Sequence, residues 1–415
     1  MEPTLQNHPI RSLEHLGRDR DTDLASGLQV NDELIARNRL YERDFRFRVA
    51  THGWKFALNG LLLNFPRIAS TPRMFLWRYG EGSIMRVLSR SFRKLKLLAL
   101  VGLVFAGLCT GSSSAQIART EVHPIQTMTL TDQQFLTGTK EGKPTTVAGV
   151  LRIPRPGTDR LPAVILVHGS AGIGGNVDYW QQQLNGMGVA TFIIDDFAGR
   201  GIENTNADQT KLGRLSAIID VYRALALLAA HPRIDPNRIA VMGFSRGALV
   251  ALDASLTRFQ NMYAQEGLSF AAYLAFYTPC NTRYLDDEAV SNKPIRLFHG
   301  TADDYVLIAP CRAYVERLRK AGKDVQLTEY PDAHHVFDNP LLKETPVAFS
   351  TWQTTRRCTL KEESPGRIIN AETKQPFTYA DPCVEYGPHI AYNPAALNAA
   401  TQAVKDFLRG TFSLK

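Results

Sequence analysis

The chain has 415 residues, of which 44% are hydrophobic and 21% charged, with 48 Lys+Arg against 40 Asp+Glu and a formal net charge of +8. The excess is local: residues 1–115 hold 17 cations and 10 anions, so residues 116–415 hold 31 and 30. A nearly neutral folded part gives no reason to propose nucleic acid as a partner, and its length suits one large α/β domain.

Residues 1–84 are rich in Arg and Asp and show little periodicity beyond "NDELIARNRLYERDF". They read as an N-terminal extension, either disordered or lying ahead of the true start. From Met85 the pattern changes. Arg86, Arg90, Arg93, Lys94 and Lys96 precede an apolar run from Leu97 to Cys109, and Ser113-Ser114-Ala115 follows. A basic region, ~7–15 apolar residues and a small-residue site make an export signal, which places cleavage after Ala115. A membrane span needs ~20 apolar residues. A membrane anchor, with residues 1–84 as a cytoplasmic tail, is the alternative. The expected location is periplasmic or secreted, without stable membrane association after cleavage.

Residues 116–415 alternate short apolar runs with longer amphipathic ones. "TTVAGVLRIP" predicts a strand stopped by Pro154 and the Pro156-Gly157 turn. "LPAVILVHG" predicts a strand buried on both faces. "NVDYWQQQLNGMG" predicts a helix, and "VATFIIDDFAGRG" another buried strand. "LGRLSAIIDVYRALALLAAHP" predicts a long helix ended by Pro232. "RIAVMGFSRG" is a strand and "ALVALDASL" the helix after it. Strands "FAAYLAFYTP" and "PIRLFHG", helix "PCRAYVERLRKAG", strand "DVQLTEYP" and helix "PAALNAATQAVKDFLRG" complete the chain. This alternation predicts a mostly parallel sheet with helices on both faces. Residues 339–393 are the one irregular stretch.

The chemistry centres on Gly243-Phe244-Ser245-Arg246-Gly247. A serine on a sharp strand-to-helix turn needs glycine on both sides, and the helix N-terminus offers free N–H groups to a developing oxyanion. The hydroxyl then needs a base. His8, His15 and His52 lie in the front end, and His123, His231 and His389 sit at element edges or in the irregular stretch. His334 and His335 of "YPDAHHVFD" follow the last predicted strand. The acid belongs between nucleophile and base in the chain, and "HGTADDYV" supplies Asp303 and Asp304 just after a strand. "VHGSAG" offers the N–H of Ser170 or Ala171 to join that of Arg246, with His168 shaping the turn. "GSAGIGG" lacks the phase of a dinucleotide fingerprint. A metal site from His334, His335, Asp303 and Asp304 is the weaker reading, so neither metal nor cofactor is expected.

These blocks resemble the α/β-hydrolase fold, and specifically the dienelactone hydrolase family, over residues 121–412. The likeness rests on "HGSAG", "DDFAGRG", "GFSRG", "HGTADDYV", "YPDAHHVFD" and the alanine-rich last helix. It implies Ser245 as nucleophile, Asp303 as acid by the family's G-x-x-D pattern, and His335 as base by its H-x-F pattern. Asp304 and His334 are then the neighbouring alternates. The family's founding lactonase uses cysteine where this chain has Ser245, which points to a general hydrolase of small carboxylic esters or lactones. A peptidase or a non-catalytic binding protein on the same fold are the competing readings.

Five cysteines are present, and loss of Cys109 with the front end leaves four. An even count in an exported chain suggests disulfides, of which three connectivities are open. We expect Cys280–Cys311 in the core and Cys358–Cys383 stapling residues 339–393 near the active-site mouth.

Overall fold

The computed structural model of the protein describes residues 117–414. The N-terminal extension and the stretch read as an export signal lie outside the described residues. In chain order the strands are β1 (Arg119–Thr129), β2 (Lys143–Ile153), β3 (Leu161–Val167), β4 (Ala190–Asp195), β5 (Ile234–Phe244), β6 (Ala272–Phe276), β7 (Thr282–Arg283), β8 (Ile295–Gly300) and β9 (Val325–Tyr330). All but β7 form an eight-stranded sheet in the order β1-β2-β4-β3-β5-β6-β8-β9. Only β2 runs against its neighbours; every other adjacent pair is parallel.

Seven helices accompany the strands: α1 (Asp132–Leu136), α2 (Gly175–Gly186), α3 (Ala217–Ala230), α4 (Arg246–Asp253), α5 (Thr257–Tyr263), α6 (Ile308–Lys320) and α7 (Pro394–Phe412), counted among the described residues. The period-two geometry of β3 explains how one apolar run serves two cores. Val164 and Leu166 pack with Trp180 and Leu184 of α2 and Leu397 and Val404 of α7. Ile165 and Val167 face the other way, into the core that α3 and α4 cover through residues such as Leu225 and Leu249. Asn393 caps α7 by accepting the Ala396 N–H at 3.0 Å, and Pro394 opens the helix where no N–H is needed.

Several elements differ from the sequence reading: α1, α5, β7 and the short strands of residues 339–393 were not expected, and two differences are instructive. Strand β1 was not expected: it carries Pro124, tolerable on a sheet edge, and Ile125 is its one fully buried apolar side chain. The helix predicted from Leu212 begins instead at Ala217. The Arg246 guanidinium takes the carbonyls of Leu212 and Gly213, and Asp132 takes the Leu215 N–H at 3.0 Å. Tertiary partners thus claim the groups that a first helical turn would use.

Residues 339–393 are ordered by short ladders. β10 (Val347–Ala348) pairs with β15 (His389–Ile390), and β11 (Gln353–Thr354) with β14 (Glu385–Tyr386). β12 (Leu360–Ser364) forms a hairpin with β13 (Arg367–Asn370) and adds a parallel pairing to β7. A salt bridge of 2.7 Å from Arg258 to the fully buried Glu362 ties this hairpin to α5. The structure contains a Cys280–Cys311 bond, joining the segment after β6 to α6, and a Cys358–Cys383 bond within the insertion. No helix among the described residues is long and apolar enough to cross a membrane.

Candidate active site

Ser245 sits between the end of β5 and the start of α4 with φ 54°, a left-handed conformation that non-glycine residues avoid. The neighbouring glycines are sterically required. A Cβ on Gly243 would lie 1.9 Å from the Gly247 carbonyl oxygen, and one on Gly247 would lie 2.2 Å from that of Val167. The Ser245 N–H donates to the Phe276 carbonyl at 3.0 Å, which holds the turn against β6. The strain, roughly 1–3 kcal/mol, is borne by this packing.

His335 lies in the loop after β9, and its Nε2 is 2.9 Å from Ser245 Oγ. On the other side its Nδ1 lies 2.7 Å from Asp303 Oδ2. Asp303 follows β8, and its Oδ1 accepts the N–H groups of Tyr305 at 2.9 Å and Val306 at 2.8 Å. Burial pushes this carboxyl's pKa up, but the charge of His335 and hydrogen bonds from His299 and His335 outweigh it, so Asp303 stays well below the usual carboxylate range. His335 is 1% exposed, and its ring is held by Tyr277 at 4.6 Å and Tyr305 at 4.7 Å between centroids. Ser245, His335 and Asp303 thus form one hydrogen-bonded line. The arrangement can move a proton from the serine oxygen to the imidazole while the carboxylate holds the tautomer.

The alternates are not brought into this line. Asp304 accepts the His389 N–H at 2.9 Å and meets His389 Nδ1 at 2.8 Å, so it ties β15 to the β8 loop instead. His334 makes no hydrogen bond to Ser245 or Asp303, and its Nδ1 is buried without a partner. Arg246 is the first residue of α4, where backbone N–H groups have no intrahelical acceptor. Ser170 and Ala171 form the turn between Gly169 and Gly172 and share a cavity lining with Ser245 and His335. His168 shapes this turn from beneath. Its Nδ1 donates to the Gly169 carbonyl at 2.9 Å, its Nε2 accepts the Asp196 N–H at 3.2 Å, and burial lowers its pKa.

Several supporting residues escaped the sequence reading. His299 donates from Nε2 to the Val306 carbonyl at 2.8 Å and lies 3.4 Å from Asp303 Oδ2. Asp338 accepts from Tyr277 and from Trp180, both at 2.7 Å, and so fixes the ring behind His335; burial raises it to about 6 despite those donors. Gln209 is a hub. Arg246 donates to its Oε1 at 3.0 Å, its Nε2 donates to Ser170 Oγ at 3.2 Å, and its backbone N–H donates to Gln353 Oε1 at 2.9 Å. Only the "HHVFD" tail of a quoted motif signals Asp338; nothing local signals Gln209.

Two cavities meet at Ser245. One, of about 60 Å³, mixes polar groups such as Gln209, Arg214, Thr354 and Tyr379 with Leu249, Pro279 and Val306. The other, of about 260 Å³, is mainly apolar and aromatic. Elsewhere among the described residues, Glu121, His123 and His231 place one ligand atom each within 4.8 Å of one another. The Arg233 N–H donates to His231 Nδ1 at 3.2 Å, which puts the ring proton on Nε2, facing Glu121 at 3.3 Å. His123 meets the same carboxylate oxygen at 2.9 Å. The trio ties β1 to the end of α3.

The profile of the Dienelactone hydrolase family matches residues 147–412, well over half of the chain and all of the site above. The chain belongs to the dienelactone hydrolase family. This member is 30% identical over 146 residues to "Esterase YpfH" of Escherichia coli, a match covering 34% of this chain and 56% of that protein. It is 29% identical to "Probable carboxylic ester hydrolase LipM" of Mycobacterium tuberculosis, over 29% of this chain and 38% of that one. The matches thus span about half, or less, of those relatives. Similar solved structures include the "m3DLH" chain, at 20% identity and TM-score 0.46, and the dienelactone hydrolase-like promiscuous phosphotriesterase P91 from metagenomic libraries, at 16% and 0.44. Each covers 70% of this chain and 98% of its own.

Proposed function

We propose that this dienelactone hydrolase family member is a serine hydrolase that cleaves small carboxylic esters or lactones through an acyl-enzyme. The observation that carries the reading is the continuous line from Ser245 Oγ to His335 Nε2 and from His335 Nδ1 to Asp303, built on a strained turn at the N-terminus of α4. Partial similarity to proteins named as esterases or carboxylic ester hydrolases supports it. His335 removes the Ser245 proton as the oxygen attacks the acyl carbonyl, and ionised Asp303 stabilises the resulting imidazolium. The N–H of Arg246, with that of Ser170 or Ala171, receives the oxyanion. The imidazolium protonates the leaving alcohol, and water activated by His335 then releases the acid. For this role residues 1–84 form an extension, residues 85–115 direct export, and the domain proper begins near residue 116. The two disulfides support an oxidising compartment.

Ser245→Ala is expected to lower kcat/KM on an aryl ester by at least ~10⁴-fold and to abolish labelling by a fluorophosphonate probe. Retention of either property by the folded variant removes the assignment.

A further inference from the structure

We propose that the ester accepted here carries a bulky apolar group on one side of the scissile bond, held on an aromatic wall supplied by residues 339–393. This inference rests on the hydrolase reading and names its substrate class. The wall starts at the base itself: the Tyr305 ring is 4.7 Å from His335, Trp352 is 6.0 Å from Tyr305, and Phe349 stacks on Trp352 at 4.0 Å with 21° between planes. Leu342 completes the same cavity.

The mouth is apolar too. Leu341 is 79% exposed, Ile173 45% and Val347 39%. Single exposed apolar residues need no explanation, but these three border one opening. Ile173 lies between the cavity-lining Gly172 and Gly174, Leu341 precedes Leu342, and Val347 pairs with Ile390. An acetyl group would leave most of this surface wet. A larger apolar group would dry the wall and run onto the rim. The second cavity at Ser245 mixes Gln209, Arg214, Thr354 and Tyr379 with Leu249, Pro279 and Val306, so it can take the more polar half of the molecule. The two cavities therefore differ, and the apolar half is better matched by the aromatic one.

Two ester series test this: 4-nitrophenyl esters of straight-chain acids from acetate to decanoate, and acetates of 1-alkanols of the same lengths. In at least one series kcat/KM is expected to rise two- to fourfold per methylene, reaching at least thirtyfold by eight carbons. Trp352→Ala should cut the eight-carbon to two-carbon ratio at least tenfold, and Trp352→Phe should restore most of it. Leu341→Ser with Ile173→Ser should lower only the longest substrates. Flat or falling profiles in both series, with turnover still dependent on Ser245, overturn this inference and leave the hydrolase reading intact. Absence of Ser245-dependent turnover on every ester overturns both.

Discussion

At Ser245 the backbone accepts a left-handed φ of 54° because Gly243 and Gly247 let the Gly247 carbonyl and those of Val167 and His168 crowd the turn. Local demands of that kind show in sequence, which is why the candidate nucleophile, acid and base could be picked out from short motifs. The groups that hold them could not. Gln209 and Tyr277 act through partners many residues away, and no local pattern encodes such a meeting; His299 lies only four residues before Asp303, inside "HGTADDYV". Asp253, at the end of α4, is another case. Burial raises its carboxyl to about 7, against the nearby Arg214 charge and a hydrogen bond from Tyr284. Its ordinary value is about 3.9, so between about pH 4 and 7 the unfolded chain releases a proton that the native protein keeps. Stability should therefore fall as pH rises through that window, by a few kcal/mol to order of magnitude. Asp253→Asn is expected to remove this part of the slope, making the variant more stable than the parent at pH 8 and no different at pH 4. Melting temperatures across that range check it; parallel profiles would sink the assignment.

Among the elements, the insertion does more than cover the site. Gln353 of β11 receives the Gln209 N–H, and Gln209 in turn steadies Ser170 while Arg246 orients its side-chain carbonyl. The Thr205 N–H donates to the Ser170 carbonyl at 2.8 Å, so the same loop grips the turn twice. Gln353→Ala should consequently slow chemistry more than binding, lowering kcat roughly tenfold with a smaller change in KM. A change confined to KM would assign Gln353 to substrate contact alone. The buried strands and main helices were legible because their apolar runs have clear length and period. The ladders β10–β15 and β11–β14 were not, since two residues carry no periodicity and are strands only because a partner lies opposite. Edge strand β1 was hidden for a related reason: with little of it buried, it lacks strong alternation.

Across the whole molecule, the two disulfides divide the labour of stabilisation. Cys280–Cys311 closes 31 residues and is anchored in α6 beneath the sheet, whereas Cys358–Cys383 closes 25 residues wholly inside the insertion. Each constrains the unfolded chain by about 3–4 kcal/mol in the loop-entropy picture, but native-state consequences differ. Replacing Cys280 and Cys311 by serine should lower the melting temperature of the entire domain. Replacing Cys358 and Cys383 should depress esterase activity at temperatures where the far-ultraviolet circular dichroism is still native. Identical loss of activity and structure in both variants would contradict that division. The path of the insertion has a further consequence. It departs after Phe337 and returns where Asn393 donates to the Phe337 carbonyl at 2.9 Å and Ala391 donates to that of His335 at 3.3 Å. Exit and re-entry are thus neighbours, and the strand order of the main sheet never depends on what lies between. Residues 339–391 are a cassette in the path of the chain: provided Gln353 and Glu362 keep their partners Gln209 and Arg258, evolution or an engineer can lengthen, shorten or exchange the rest and so retune what reaches Ser245.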